Sequence, residues 1–178
     1  MVCIEREFEI RNTAVNILKE CKIDILQAIS FVVILYNIKS FKINYRQENL
    51  AGLLGLTLYF EEFDEYYICT DKDVNKIFER NKFTLAHELG HIVLRHLNSA
   101  ANNSLIIKNR LLEEEANIFA DELLMPTMGI LQTGITKAEE LSKHYGVSLT
   151  AAAKKLRQYQ NNALFTSYLD YLYETSGY

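Results

Sequence analysis

Residues 87–91 read His-Glu-Leu-Gly-His. Two imidazoles four positions apart, with a carboxylate beside the first, are the residue types that a hydrolytic zinc site asks of one helix. Each helical residue turns the side chain by about 100°, so His87 and His91 stand about 40° apart, one turn above the other, and both rings can reach one ion. Glu88 falls on the far flank of that stripe, beside the ion instead of on it, where its carboxylate can take a proton from an attacking water. Peptide hydrolysis is the chemistry this spacing predicts.

The flanking residues carry the period of a helix. Between Phe83 and Leu97 the apolar residues Phe83, Leu85, Ala86, Leu89, Ile92, Val93, Leu94 and Leu97 gather on one arc, and Thr84, His87, Glu88, His91 and Arg95 fill the remaining stripe. A glycine costs about 1 kcal/mol against alanine inside a helix, so Gly90, between the histidines, predicts close approach by another backbone or by substrate. Projected along the same helix, His96 points away from His87 and reads as a core-edge or surface residue. Since His-Glu-x-x-His also arises by chance on amphipathic helices, the argument needs a third ligand from a second helix, the fourth position staying open for water.

Residues 111–126, LLEEEANIFADELLMP, supply a helical pattern with Leu112, Ala116, Phe119, Ala120, Leu123 and Leu124 on one face and Pro126 as its stop. On the wheel Glu113 lies beside Ala120 and Leu124 within the buried arc, whereas Glu114 points to solvent and Glu115 sits on the opposite, solvated border. A buried carboxylate needs a partner, and a metal held by two histidines would be one. Glu113 is therefore the candidate third ligand, with Asp121 as the alternative. Asn117, one turn on, faces the same side and can hydrogen-bond a ligand histidine. The extended three-histidine site is excluded, because Leu94 and Leu97 occupy its glycine and third histidine positions.

Taken together, FTLAHELGH (83–91) and EEEANIFADELLMP (113–126) resemble the ImmA/IrrE family of metallopeptidases, with Gly55-x-Thr57 and Arg80-x-x-Phe83 as weaker matches across roughly residues 45–160. The resemblance implies one zinc ion bound by His87, His91 and Glu113, and Glu88 as catalytic base. It also implies a cytoplasmic protease, often carried by phages or integrative elements, that cleaves a helix-turn-helix repressor encoded nearby. Other relatives act in stress responses or beside toxin genes.

A chain of 178 residues with 49% hydrophobic side chains suits one domain with an ample core. The expected fold is α+β and zincin-like: a mostly helical single domain, 1–178, with a small antiparallel β-sheet beside the zinc helix. Its parts are a helical N-terminal region (1–40), a sheet and zinc-site core (41–126) and a helical C-terminal region (127–178). Helices are expected near 5–20 and 24–38, and a hairpin from Leu53–Phe60 and Tyr66–Thr70 around the acidic turn Glu61–Glu65. Its exposed edge can pair with an extended substrate. The apolar run Ile25–Ile38 is too short for a membrane span and reads as a core helix. A net charge of −4 argues against broad binding to nucleic acid or to anionic membrane. Three cysteines without metal-ligand spacing, and an N-terminus with neither basic leader nor secretory run, predict the reducing cytoplasm.

Two other function classes stay open. LSKHYGVSLTAAAKKL, within 141–157, resembles a helix-turn-helix bearing Lys154, Lys155 and Arg157, which fits DNA binding or, equally, a packing or repressor-docking corner. A non-proteolytic antirepressor or toxin–antitoxin partner would hold zinc yet act by binding alone. The oxyanion-stabilising group is unassigned among the 11 tyrosines and His144.

Overall fold

Ile10, Ala14, Ile17 and Leu18 recur with the helical period, and in the computed structural model they line the buried side of α1 (Ile4–Glu20). The structure describes residues 2–72, 78–97, 109–160 and 166–171. The next helix, α2 (Phe31–Asn37), is shorter than its apolar run predicts. Asp24 diverts the chain into a turn: its Oδ1 accepts from Leu26 N at 2.9 Å and its carbonyl from Gln27 N at 3.3 Å, a local alternative to helical bonding. Within α2 only Phe31 and Ile34 are buried, while Val32 and Tyr36 face solvent.

Three strands follow: β1 (Ile43–Glu48), β2 (Gly55–Phe60) and β3 (Glu65–Asp71), in the spatial order β1-β3-β2. β2 and β3 form the expected hairpin, with Thr57 opposite Ile68 and Phe60 opposite Glu65. β1, however, joins β3 in parallel, from Ile43 opposite Tyr66 to Glu48 opposite Asp71, so the sheet is mixed instead of antiparallel. The loop of residues 49–54 explains this. It carries the chain across about two strand spacings of roughly 4.8 Å, and β3 fills the gap it leaves.

The remaining helices are α3 (Phe78–Val93), α4 (Arg110–Leu124), α5 (Thr127–Thr133), α6 (Ala138–Tyr145) and α7 (Leu149–Gln160), followed by a helical segment at 166–171. The side chain of Asn109 caps α4 by accepting from Leu111 N at 3.0 Å. One core unites Leu18 of α1, Ile34 of α2, Ile68 of β3, Leu89 and Ile92 of α3, Phe119 and Leu123 of α4, Tyr145 of α6 and Leu156 of α7. No helix of the described residues is long and apolar enough to cross a membrane.

The helix-turn-helix-like segment corresponds to α6 and α7, with Gly146 at the corner in the left-handed region (φ 61°). Of its cations only Lys155 is turned inward, while Lys143, Lys154 and Arg157 are exposed. Lys155 is buried and donates to Glu122 Oε2 at 2.6 Å, Lys154 reaches Asp121 Oδ2 at 3.0 Å, and only Arg157 is left to its own helix, on the carbonyl of Ala153. Glu122 is completely buried and also accepts from Arg11 Nη1 of α1 at 2.9 Å and from the backbone and hydroxyl of Thr127 at 2.8 and 2.7 Å. Four helices thus meet on one carboxylate.

Burial alone would raise the Glu122 carboxyl, but Lys155 and Arg11 hold it below its ordinary value. Because the folded pKa lies below the unfolded one, the stabilisation is fully present above about pH 4.5 and is lost as pH falls through the folded value. Glu122→Gln takes from buried Lys155 the carboxylate it donates to and leaves Arg11 with Glu7 alone, and should cost about 3–5 kcal/mol at pH 7, as read by urea unfolding. The deficit should shrink in acid; equal stability of variant and wild type at pH 7 would count against this network.

Candidate active site

The site begins with a glycine. A Cβ built on Gly90 would stand 3.1 Å from Phe119 Cδ1 and 3.3 Å from both Cα and O of Ala116. The backbone of α3 therefore runs against that of α4, one of the two approaches its position predicts. Glu113 and Asn117, each within one turn of Ala116, are brought against His87 and His91 by this contact.

His87 Nε2 and His91 Nε2 are 3.1 Å apart, Glu113 Oε2 is 3.3 Å from the first and Oε1 is 3.5 Å from the second. Two ligands 2.0–2.1 Å from a zinc ion at a tetrahedral angle lie about 3.3–3.4 Å apart. The two imidazole nitrogens thus stand near that spacing, and the Glu113 carboxylate faces them with one oxygen toward each, so that one donor atom from each of the three residues lies within 4.8 Å of the others. Asn117 Oδ1 is 3.0 Å from His87 Nδ1. An amide oxygen can only accept, so Nδ1 carries the ring proton and Nε2 keeps a lone pair aimed at the shared centre. These are the residues that can hold a metal. Asp121, the alternative carboxylate, is bound to Lys154 instead.

Glu88 follows His87 and is buried against the sheet. Thr57 Oγ1 donates to Glu88 Oε2 at 2.6 Å, and a Cβ at Gly55 would stand 2.7 Å from Glu88 Oε1 and 2.6 Å from Thr84 Cγ2. Gly55 and Thr57 are two apart on β2, hence on one face: one leaves room for the carboxylate and the other binds it. Burial pushes the Glu88 carboxyl up to about 7, with Glu113 adding to the rise and the Thr57 hydroxyl opposing it. Burial, then His87 and His96, pushes His91 down to about 3, keeping it neutral.

The glutamates of α4 differ from the wheel projection. Glu113 is partly exposed, at 38% of its side chain, whereas Glu115 is buried and accepts from Arg6 Nη2 of α1 at 2.8 Å. A wheel shows which residues share a side, but α4 is covered on two sides, by α3 and by α1.

His96 is the residue that sequence reasoning misplaced. The helix stops at Val93, and Arg95 enters the left-handed region at φ 57°. His96 N then bonds to His91 O at 2.9 Å and Arg95 N to Ile92 O at 3.0 Å. This bond pair is a Schellman turn, which folds the residue after the left-handed position back over the last turn of the helix. His96 Nδ1 arrives 3.0 Å from His91 Nδ1, with its Nε2 3.2 Å from Glu115 Oε2. Glycine usually marks such a turn, and an arginine there hides the signal. The Arg80 side chain lies outside the described residues, and His144 is engaged with the carbonyl of Leu26 at 2.8 Å.

Residues 73–157 match the family model of a peptidase described as an IrrE N-terminal-like domain. Over 125 residues the chain is 29% identical to the metallopeptidase ImmA of Bacillus subtilis (strain 168), covering 66% of this chain and 70% of that protein. Among solved structures, a Mycobacterium tuberculosis transcriptional regulator is similar with a TM-score of 0.52 and 11% sequence identity, over 83% of this chain. That likeness is one of fold, and this chain spans half the length of the regulator.

Gly90→Val should force α3 and α4 apart, destabilising the protein by about 1–3 kcal/mol and weakening metal uptake, both measurable by thermal unfolding with and without added zinc. A second expectation concerns Glu88 in chelator-treated protein. Its folded pKa, about 7, exceeds the ordinary 4.5, so the stability it contributes is present below pH 4.5 and lost as pH rises through 7. Glu88→Gln, which does not titrate, should therefore gain on the wild type by roughly 3 kcal/mol between acid and pH 8; parallel stability curves would refute the shift.

Proposed function

The chain belonging to the ImmA/IrrE family of metallopeptidases, we propose that it is a zinc-dependent endopeptidase that cleaves a helix-turn-helix transcriptional repressor at one site and so derepresses phage, mobile-element or stress genes. The observation that carries the peptidase reading is the convergence of His87, His91 and Glu113, with one donor atom from each within 4.8 Å of the others, beside the buried Glu88 carboxyl, which burial pushes up to about 7.

His87, His91 and Glu113 would hold the ion, and Asn117 orients His87 through Nδ1. When bound, zinc supplies Lewis acidity toward the scissile carbonyl and makes water acidic enough to ionise near neutral pH. The other parts of the reaction fall to this chain's own side chains. Glu88 receives the proton of the attacking water and delivers it to the leaving amine. A carboxyl poised near neutrality serves both transfers, since it neither releases nor retains the proton strongly. Thr57 occupies Oε2, which assigns the transfer to Oε1.

An extended segment of the substrate would lie along β2, which is an edge strand among the described residues and already touches Glu88 through Thr57. Main-chain hydrogen bonds to such an edge hold a peptide straight, with every other side chain directed toward the site. The reading places the enzyme in the cytoplasm, in keeping with three unpaired cysteines, two of them buried. The repressor as substrate is what the family suggests.

The test incubates zinc-loaded wild type and Glu88→Gln with the repressor encoded beside this gene and follows the repressor's mass. A single cut by the wild type, absent with the variant and abolished by a chelator, is the expected result. If both proteins hold zinc and bind the repressor but neither cuts it, the chain acts by association as an antirepressor.

A further inference from the structure

Resting on the zinc reading above, we propose that His96 is a positioning residue: together with Glu115 and Arg6 it fixes His91 as its Nδ1–H tautomer and so keeps the Nε2 lone pair on the metal position. The hydrogen bonds have one consistent direction. Glu115 accepts from Arg6 Nε on Oε1 at 3.2 Å and from Arg6 Nη2 on Oε2 at 2.8 Å, so the guanidinium balances its charge. A carboxylate so paired can only accept. The 3.2 Å contact between Glu115 Oε2 and His96 Nε2 therefore places a proton on that nitrogen.

With its charge demand already met by Arg6, Glu115 does not require a cationic His96, and neutral His96 has a bare Nδ1. The atom 3.0 Å away, His91 Nδ1, must then be the donor. His91 consequently presents a bare Nε2, 3.1 Å from His87 Nε2. The opposite direction would put a hydrogen on His91 Nε2, pointed at His87, and remove the ring from the donor set.

Water has little access to take over the work of this chain, because the side chains of His91, His96 and Glu115 are only 1%, 3% and 8% exposed. The Schellman turn fixes the two rings to one another, since the backbone N–H of His96 bonds to the carbonyl of His91. His87 has Asn117 at its outer nitrogen, and the turn gives His91 the corresponding partner. Arg6, on α1, closes the series from 109 residues away in sequence.

The test measures zinc affinity by competition with a chromophoric chelator for wild type, His96→Phe and His96→Gln. Phenylalanine fills the space of the ring without accepting a hydrogen bond, and should weaken zinc binding about 10- to 100-fold. Glutamine can accept from His91 and donate to Glu115, and should recover most of the loss. In zinc-loaded wild type, long-range proton–nitrogen NMR should find His91 protonated at Nδ1 and His96 at Nε2. This arm does not depend on how well a variant folds. A His96→Phe protein that binds zinc as tightly as wild type, or a spectrum with the His96 proton on Nδ1, overturns the proposal. A wild type that takes up no zinc is a separate result, and overturns the zinc reading itself.

Discussion

Everything at the site depends on how closely two helices can approach. The backbone of α3 meets that of α4 where Gly90 faces Ala116, and the Phe119 ring closes the same contact. Ligands on one ion are separated by little more than 3 Å, whereas a methyl group inserted between two helices moves them apart by a sizeable fraction of that distance. A glycine inside a helix is unfavourable by about 1 kcal/mol. Its cost is offset by the apolar side chains around it, since Leu89, Ile92, Phe119 and Ala120 are fully buried in one core.

The same economy of space governs Glu88. β2 brings Gly55 and Thr57 against it, so the carboxylate is roofed by a strand and loses most of its hydration. Its elevated pKa follows from that enclosure more than from any neighbouring charge. The sheet is small, yet its mixed topology matters here. Placing β3 in the middle leaves β2, among the described residues, at an edge of the sheet and paired on one side only.

Much of this was readable from the order of residues. The spacing of His87, Glu88 and His91 needs only helical geometry, and the pattern around Glu113 suffices to select a second helix. The hairpin could be read because its aromatic and branched runs flank an acidic turn. Other features depend on which surfaces become covered, and periodicity does not encode that. Glu115 looks solvated until α1 is packed onto α4, and the parallel pairing of β1 depends on a partner later in the chain. His96 is different again: a single left-handed residue, Arg95, ends the helical projection, and arginine gives no warning of it. The Lys154–Lys155 pair reads as a cationic surface, although Lys155 is almost wholly buried against Glu122.

The segment that matches the peptidase family model begins at residue 73, but two carboxylates within it have their partners on α1. Arg6 binds Glu115, and Arg11 binds Glu122. An exchange of that segment between related genes would separate Arg6 from Glu115 and Arg11 from Glu122, removing one partner from each of these part-buried or buried groups. Arg6 with Glu115, and Arg11 with Glu122, are thus expected to be inherited as pairs and to change together, tying the evolution of the first helix to that of a segment that begins only at residue 73.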